Sequence, residues 1–242
     1  MKDQKVAVIQ SNYIPWKGYF DFIRRVDEFV LFDDVQYTRR DWRNRNRIKT
    51  PQGVQWLTIP VKVTGKYFQK IQDTEIDDPG WAENHWKTLC HAYARARCFG
   101  ELRATFEELY LGCRETLLSE VNRRFLTAVN AILEIETRLS WSREYPASAS
   151  DPNHRLLEIC QALRATEYVS GLAARDYLDV ALFEREGIRV TWMDYAGYPE
   201  YPQLHPPFEH AVSIVDLLFN VGWDAPRYLK TFEPVGSRRS SE

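Results

Sequence analysis

Two short apolar, β-branched runs bracket a helical stretch at the start of this chain, and their spacing restricts the fold more than any other feature. Residues 5–9 (KVAVI) and 29–32 (FVLF) are apolar almost throughout, as expected of strands covered on both faces. Between them, after the turn QSNYIPW, residues 18–25 (GYFDFIRR) have helical periodicity. A β–loop–α–β unit that closes within about thirty residues has the size of a crossover between parallel strands.

The same alternation returns later. Residues 54–63 (VQWLTIPVKV) alternate apolar and polar and read as a strand, paired in a hairpin with 66–71. From 81 to 137 the pattern is helical and gives three helices, near 82–97, 101–111 and 114–137, broken at Gly100 and Gly112. A strand is expected at 138–142, then a helix through Leu163 capped by Asp151 or Asn153. Strand 168–171, helix 176–186 ended by Gly187, and strand 188–193 follow. Helices are expected at 213–221, where Ser213 and Asp216 fit a capping box, and at 225–229. The order argues for an α/β fold, a Rossmann-like parallel sheet core with a helical insertion at about residues 81–137. We read 1–232 as one α/β domain and the polar tail 233–242 as disordered.

Bulk properties narrow the class. The formal net charge is −2, with 44% hydrophobic and 27% charged residues, ordinary values for a soluble globular protein. No 18-residue apolar run is present and the chain enters its first strand without a signal peptide's apolar segment, so neither membrane insertion nor export is expected. Cys90, Cys98, Cys113 and Cys160 form no CxxC pair and read as free thiols in a reducing cytoplasm; no metal site is expected.

Against this near-neutral background, residues 37–50 (YTRRDWRNRNRIKT) concentrate five arginines, a lysine, two asparagines and a tryptophan. Local charge of this kind points to a local anionic partner. Arg and Asn carry planar, multi-donor groups suited to phosphates or base edges, and Trp42 adds a stacking surface. The stretch follows a strand, where open α/β folds place ligand loops. As a plain alternative, such arginines pair with Asp33, Asp34 and Asp41 or face solvent.

Three further segments follow strands. Gln10, Asn12, Tyr13, Trp16 and Gly18 follow the first; a glycine at a helix start permits close backbone approach and free N–H groups there favour anions. The segment lacks the glycine-rich dinucleotide fingerprint, the P-loop and the His-x-x-His pair of nucleotidyltransferases. Ser170, at the end of the strand near 168, could donate to a ligand but has no nucleophile-elbow context. The Pro- and Tyr-rich stretch from Asp194 to Asp216 holds His205 and His210, either of which could act as a general base.

Through VAVIQSNYIPWKGYFDFI, FDDVQYTRRDWRNRNRIKT, EYVSGLAARDYLD and PQLHPPFEHAVSIVDLLFN the chain resembles the WbqC-like family across nearly its whole length. The family tends to have Gly where this chain has Pro206. Members are associated with gene clusters for bacterial surface polysaccharides and O-antigens, often beside enzymes making nucleotide-linked amino sugars. The resemblance implies a transferase that acylates or aminoacylates an amino sugar. In that scheme Arg39, Arg43, Arg45 and Lys49 hold phosphates, with Asn44 beside them, and Trp16 or Trp42 stacks on a base or sugar. His205 or His210 deprotonates the acceptor amine, and Gln10, Asn12 and Ser170 orient the substrate. No cofactor is specified beyond an activated acyl donor, aminoacyl-tRNA being one version. An ATP-dependent ligase or nucleotidyltransferase, and a non-enzymatic RNA- or nucleotide-sugar-binding module, are the alternatives.

Overall fold

A computed structural model describes residues 3–232; the tail expected to be disordered lies outside them. Strand β1 (Lys5–Ile9) leads through α1 (Lys17–Arg24) to β2 (Glu28–Leu31). A hairpin of β3 (Arg45–Thr50) and β4 (Gly53–Thr58) follows, then α2 (Trp81–Tyr93), α3 (Phe99–Leu111) and α4 (Leu118–Ile132). The chain returns to the sheet as β5 (Arg138–Trp141), α5 (Pro152–Ala162), β6 (Glu167–Ser170), α6 (Val180–Arg185) and β7 (Arg189–Trp192), and ends in α7 (Ile214–Val221).

The five sheet strands are parallel in the order β5-β2-β1-β6-β7. The chain builds outward from β1 on one side, then crosses after β5 to the other. This reversal is the doubly wound, Rossmann-like arrangement, and it places a switch point at β1 and β6.

Period-two geometry divides the core. Ala7, Phe29, Leu31 and Val169 point to the face covered by α1, the three-helix insertion and α7. Val6, Val8, Val30 and Tyr168 point to the other face, against Leu156 and Cys160 of α5 and Phe183 of α6. Each fully buried Val, Leu or Phe among them contributes roughly 1.5–3 kcal/mol of transfer free energy. Burial on both faces explains the apolar composition of β1 and β2.

Several local expectations need correction. Residues 54–58 are a strand, but its partner is β3, within the basic stretch itself; Arg47 faces Trp56 and Lys49 faces Val54 in the antiparallel register. Gly53, at φ +108°, makes the tight return after Pro51 and Gln52, so residues 66–71 are not needed as partner. Asp151 caps α5 by accepting from His154 N at 2.9 Å, with Pro152 at the first helical position. Asn153 instead ties α5 to the residues before α6, through Tyr177 O and Asp179 N. The helix expected over 176–186 begins only at Val180, where Asp179 accepts from Leu182 N; residues 172–176 and 222–228 are 3-10 turns. Ser213 does cap α7, accepting from Val215 N, but Asp216 completes no box: it is buried and accepts from Tyr93 and Tyr201, each at 2.8 Å.

Candidate functional site

A cleft of about 550 Å³ opens beyond the carboxyl ends of the parallel strands. Asn12, Pro15 and Trp16 enter it from the loop after β1, Trp42, Asn46 and Arg47 from the segment after β2, and Tyr195, Tyr198 and His210 from the loop after β7.

The first loop is fixed from below by α4. Ser11 N donates to Asp33 Oδ1 at 2.8 Å, Ser119 Oγ donates to Asp33 Oδ2, and Asn122 Nδ2 donates to Ser11 Oγ and to the Arg43 carbonyl, both at 2.9 Å. Burial pushes the Asp33 carboxyl up, and the hydrogen bonds from Ser119 and Ser11 and the Arg43 charge oppose that shift. Arg43 itself donates to Asn12 Oδ1 and reaches the Gln10 carbonyl. Thus the helical insertion, far from the cleft in sequence, holds two of its three walls.

The hairpin docks onto the same loop. Tyr13 N donates to the Trp42 carbonyl at 3.1 Å, and Asn46 Nδ2 donates to the Tyr13 carbonyl at 3.1 Å. Ser213 closes the third side, with its N–H on the Arg47 carbonyl at 2.7 Å and its hydroxyl on the Ile14 carbonyl at 2.7 Å. Ile14 is β-branched yet held at φ +34°, a strain of about 1–3 kcal/mol that this clamp offsets.

Trp16 forms the aromatic wall, with ring centroids 5.6 Å from Tyr195 and 5.3 Å from Tyr198. Its indole lies so close over Gly18 that a Cβ there would fall 2.2 Å from the ring. The glycine thus admits the tryptophan ring to the helix backbone. Tyr198 Oη donates to the buried Asp21 Oδ2 at 2.6 Å, which fixes the loop carrying it. Lys17 is nearly buried beneath that loop, donates to the Pro199 carbonyl at 2.5 Å, and is lowered to about 8 by burial, with Glu200 opposing. Burial, with the charge of Asp21, pushes the Tyr195 phenol up to about 12, so it enters the cleft as a neutral hydroxyl.

Of the residues expected to bind or react, Asn12, Trp16, Trp42 and His210 converge in the cleft. Gln10 contributes its carbonyl, to Tyr19 Oη and Arg43, and Arg43 buttresses the wall. The others do not line it. Tyr13 is core, bonded to His85 and Tyr110; Asn44 donates to the Ile59 carbonyl; Lys49 is buried against Gln203 and the Pro207 carbonyl. Arg45 stacks over Trp56, and Arg39 donates to the Val63 carbonyl beside a separate hollow. Ser170 is buried, its carbonyl accepting from Met193 N, while neighbouring Gly171 lies near Tyr195 Oη. His205, expected as a base, has its Nε2 on the Ala92 carbonyl at 2.9 Å and is buried in that packing. Asn46, one of the two asparagines of the basic stretch, also lines the cleft, and Arg47, Tyr195 and Tyr198 join it from the basic and Tyr-rich stretches without having been given individual roles. Reading residues 45–50 as a strand would have separated outward Arg45 and Arg47 from inward Asn46 and Ile48.

Fold and site together define a Rossmann-like α/β protein with an aromatic, cationic cleft at the carboxyl edge of its sheet. The chain belongs to the WbqC-like protein family, whose profile matches residues 10–228. It is 54% identical over 227 residues to the uncharacterized protein Rv1507c of Mycobacterium tuberculosis, covering 94% of this chain and 98% of that protein. No solved structure matches the chain significantly. Among the described residues, no helix is long and apolar enough to cross a membrane.

Proposed function

We propose that the cleft binds a nucleotide-linked amino sugar and that the protein transfers an acyl or aminoacyl group to the sugar amine. The observation that carries this reading is the convergence of Trp16, Trp42, Arg47 and His210 on one cleft from three separate segments, two loops and the hairpin with its approach. An indole wall suits a base or sugar face, and a guanidinium suits a diphosphate. Asn12 and Asn46 lie between them, their amides already engaged in holding the walls.

In the proposed reaction His210 takes a proton from the acceptor ammonium, freeing its lone pair. The nitrogen attacks the acyl carbonyl, the new C–N bond forms, and the bond to the leaving group breaks. A second amine proton is lost as the amide forms, and the leaving group departs with its electron pair and is protonated. The imidazole ring packs edge-on to Phe208 at 4.6 Å, at the cleft rim where acceptor and donor would meet.

Calorimetric titration with nucleotide diphosphate amino sugars tests binding, and mass spectrometry of mixtures with activated acyl donors tests transfer. The expected result is micromolar binding lost in Trp16→Ala, and an acylated sugar whose formation is lost in His210→Ala while binding persists. Turnover unchanged in His210→Ala would remove the assigned base; no sugar binding at all would overturn the reading.

A further inference from the structure

The basic hairpin continues beyond the cleft as an exposed face. Trp42 and Trp56 are 41% and 42% exposed, with ring centroids 5.4 Å apart and planes tilted by 39°. The Arg45 guanidinium lies 4.2 Å over Trp56, and that of Arg47 lies within 6 Å of both indoles. Among the described residues, Nε of Arg45 and of Arg47 is buried without a hydrogen-bond partner. Residues 42–72 hold seven Lys and Arg and no Asp or Glu, in a chain of net charge −2. Flanking acids pair with three of them, Asp41 with Arg43 and Glu75 with Lys62 and Lys66, while among the described residues no ion pair involves Arg45 or Arg47.

We propose that this face is a platform for single-stranded nucleic acid, running from the cleft over Trp42 and Trp56. Bases would stack on the two indoles while Arg45 and Arg47 meet the phosphates on either side. Splayed, unpaired bases fit tilted rings at this spacing; the stacked interior of a duplex offers no free faces. From Arg45, which donates to the Arg40 carbonyl, the cationic surface passes to Arg39. There a second hollow of about 350 Å³ is lined by Tyr37, Lys66 and Tyr67, extending the track. The inference deepens the transferase reading, since a strand lying on this face would deliver its end, and any aminoacyl group on it, to the cleft. The platform itself does not need that chemistry.

The test is fluorescence anisotropy of labelled oligouridylate and its deoxy counterpart, each of roughly ten nucleotides, the span of one stacking groove. Both are titrated with the full chain at several salt concentrations. Trp56→Ala is expected to weaken binding by roughly 5- to 100-fold, the range of one lost base stack, and Trp56→Phe to restore most of it. Arg45→Gln is expected to flatten the salt slope by about 0.7, one phosphate contact on a single strand. Binding of either oligomer with these responses supports the platform, and the tighter one identifies the strand. Absence of binding at low salt, affinity unchanged in Trp56→Ala, or equal displacement by base-free polyphosphate would each overturn it. Titration of the wild-type chain with nucleotide sugar reports on the cleft separately. Oligonucleotide binding without sugar binding would therefore sink the proposed function and leave the platform standing.

Discussion

Arg43 donates through Nη1 to the side-chain carbonyl of Asn12, joining the basic hairpin to the loop that leaves the first strand. The same guanidinium reaches the Gln10 carbonyl and the carboxylate of Asp41, the latter at 3.5 Å. Arg43→Ala is therefore expected to cost about 2 kcal/mol, as for hydrogen bonds made by a charged donor, and to loosen the cleft wall. Arg43→Lys should recover little, because an ammonium lacks the planar fork that serves several acceptors at once. Urea denaturation measures the first effect. An unfolding midpoint equal to wild type would show that the anchor is unimportant.

Gly18→Ala separates binding from stability. The added methyl would fall 2.2 Å from the Trp16 ring and force the indole out of its place between Tyr195 and Tyr198. Alanine favours a helix over glycine by about 1 kcal/mol, so α1 is not weakened by the exchange itself. We expect nucleotide-sugar affinity to fall at least tenfold while the melting temperature changes by only a few degrees. Unaltered affinity would place the ligand away from Trp16.

His85 makes stability depend on pH. The Thr58 carbonyl can only accept, so Nε2 carries the proton and Nδ1 accepts from Tyr13 Oη. Burial lowers the ring's pKa from 6.5 to about 4, with the Thr58 hydrogen bond opposing. Between those values the unfolded chain binds a proton that the folded chain refuses. Stability is therefore fully present above pH 6.5 and falls as pH drops toward 4, by about 3 kcal/mol over the window. Denaturation profiles of wild type and His85→Gln across this range should differ in slope. Parallel profiles would contradict the assignment.

Ser213 supports strain at Ile14. Ser213→Ala removes the hydroxyl that holds the Ile14 carbonyl and the cap that accepts from Val215 N. Loss of a cap costs about 1 kcal/mol, and the freed carbonyl adds a comparable amount. The larger effect is expected on ligand binding, because Ile14 at φ +34° carries the neighbouring Pro15 and Trp16 into the cleft. Hydrogen exchange of residues 12–16 measures the release directly, and protection equal to wild type would count against the clamp.

The apolar runs at 5–9 and 29–32 were legible as parallel strands because burial on both faces leaves a local signature, independent of partner. The start of α5, with its cap left between Asp151 and Asn153, and the three-helix insertion were legible for the same reason, since helix periodicity and capping act over three or four residues. The hairpin was harder. Its partner choice turned on the return at Gly53, and only strand register puts Arg47 opposite Trp56.

For the site, the sequence by itself determined which segments follow strands and so where a cleft could form, and it located Trp16, Trp42 and His210 within those segments. Only the tertiary structure decided which side chains reach it. His205 is removed by a carbonyl 113 residues away, and Arg43 becomes a buttress because Asn12 lies beneath it. Propensity and periodicity are local, whereas the direction of a polar side chain is set by whichever distant donor or acceptor must be satisfied when the chain packs.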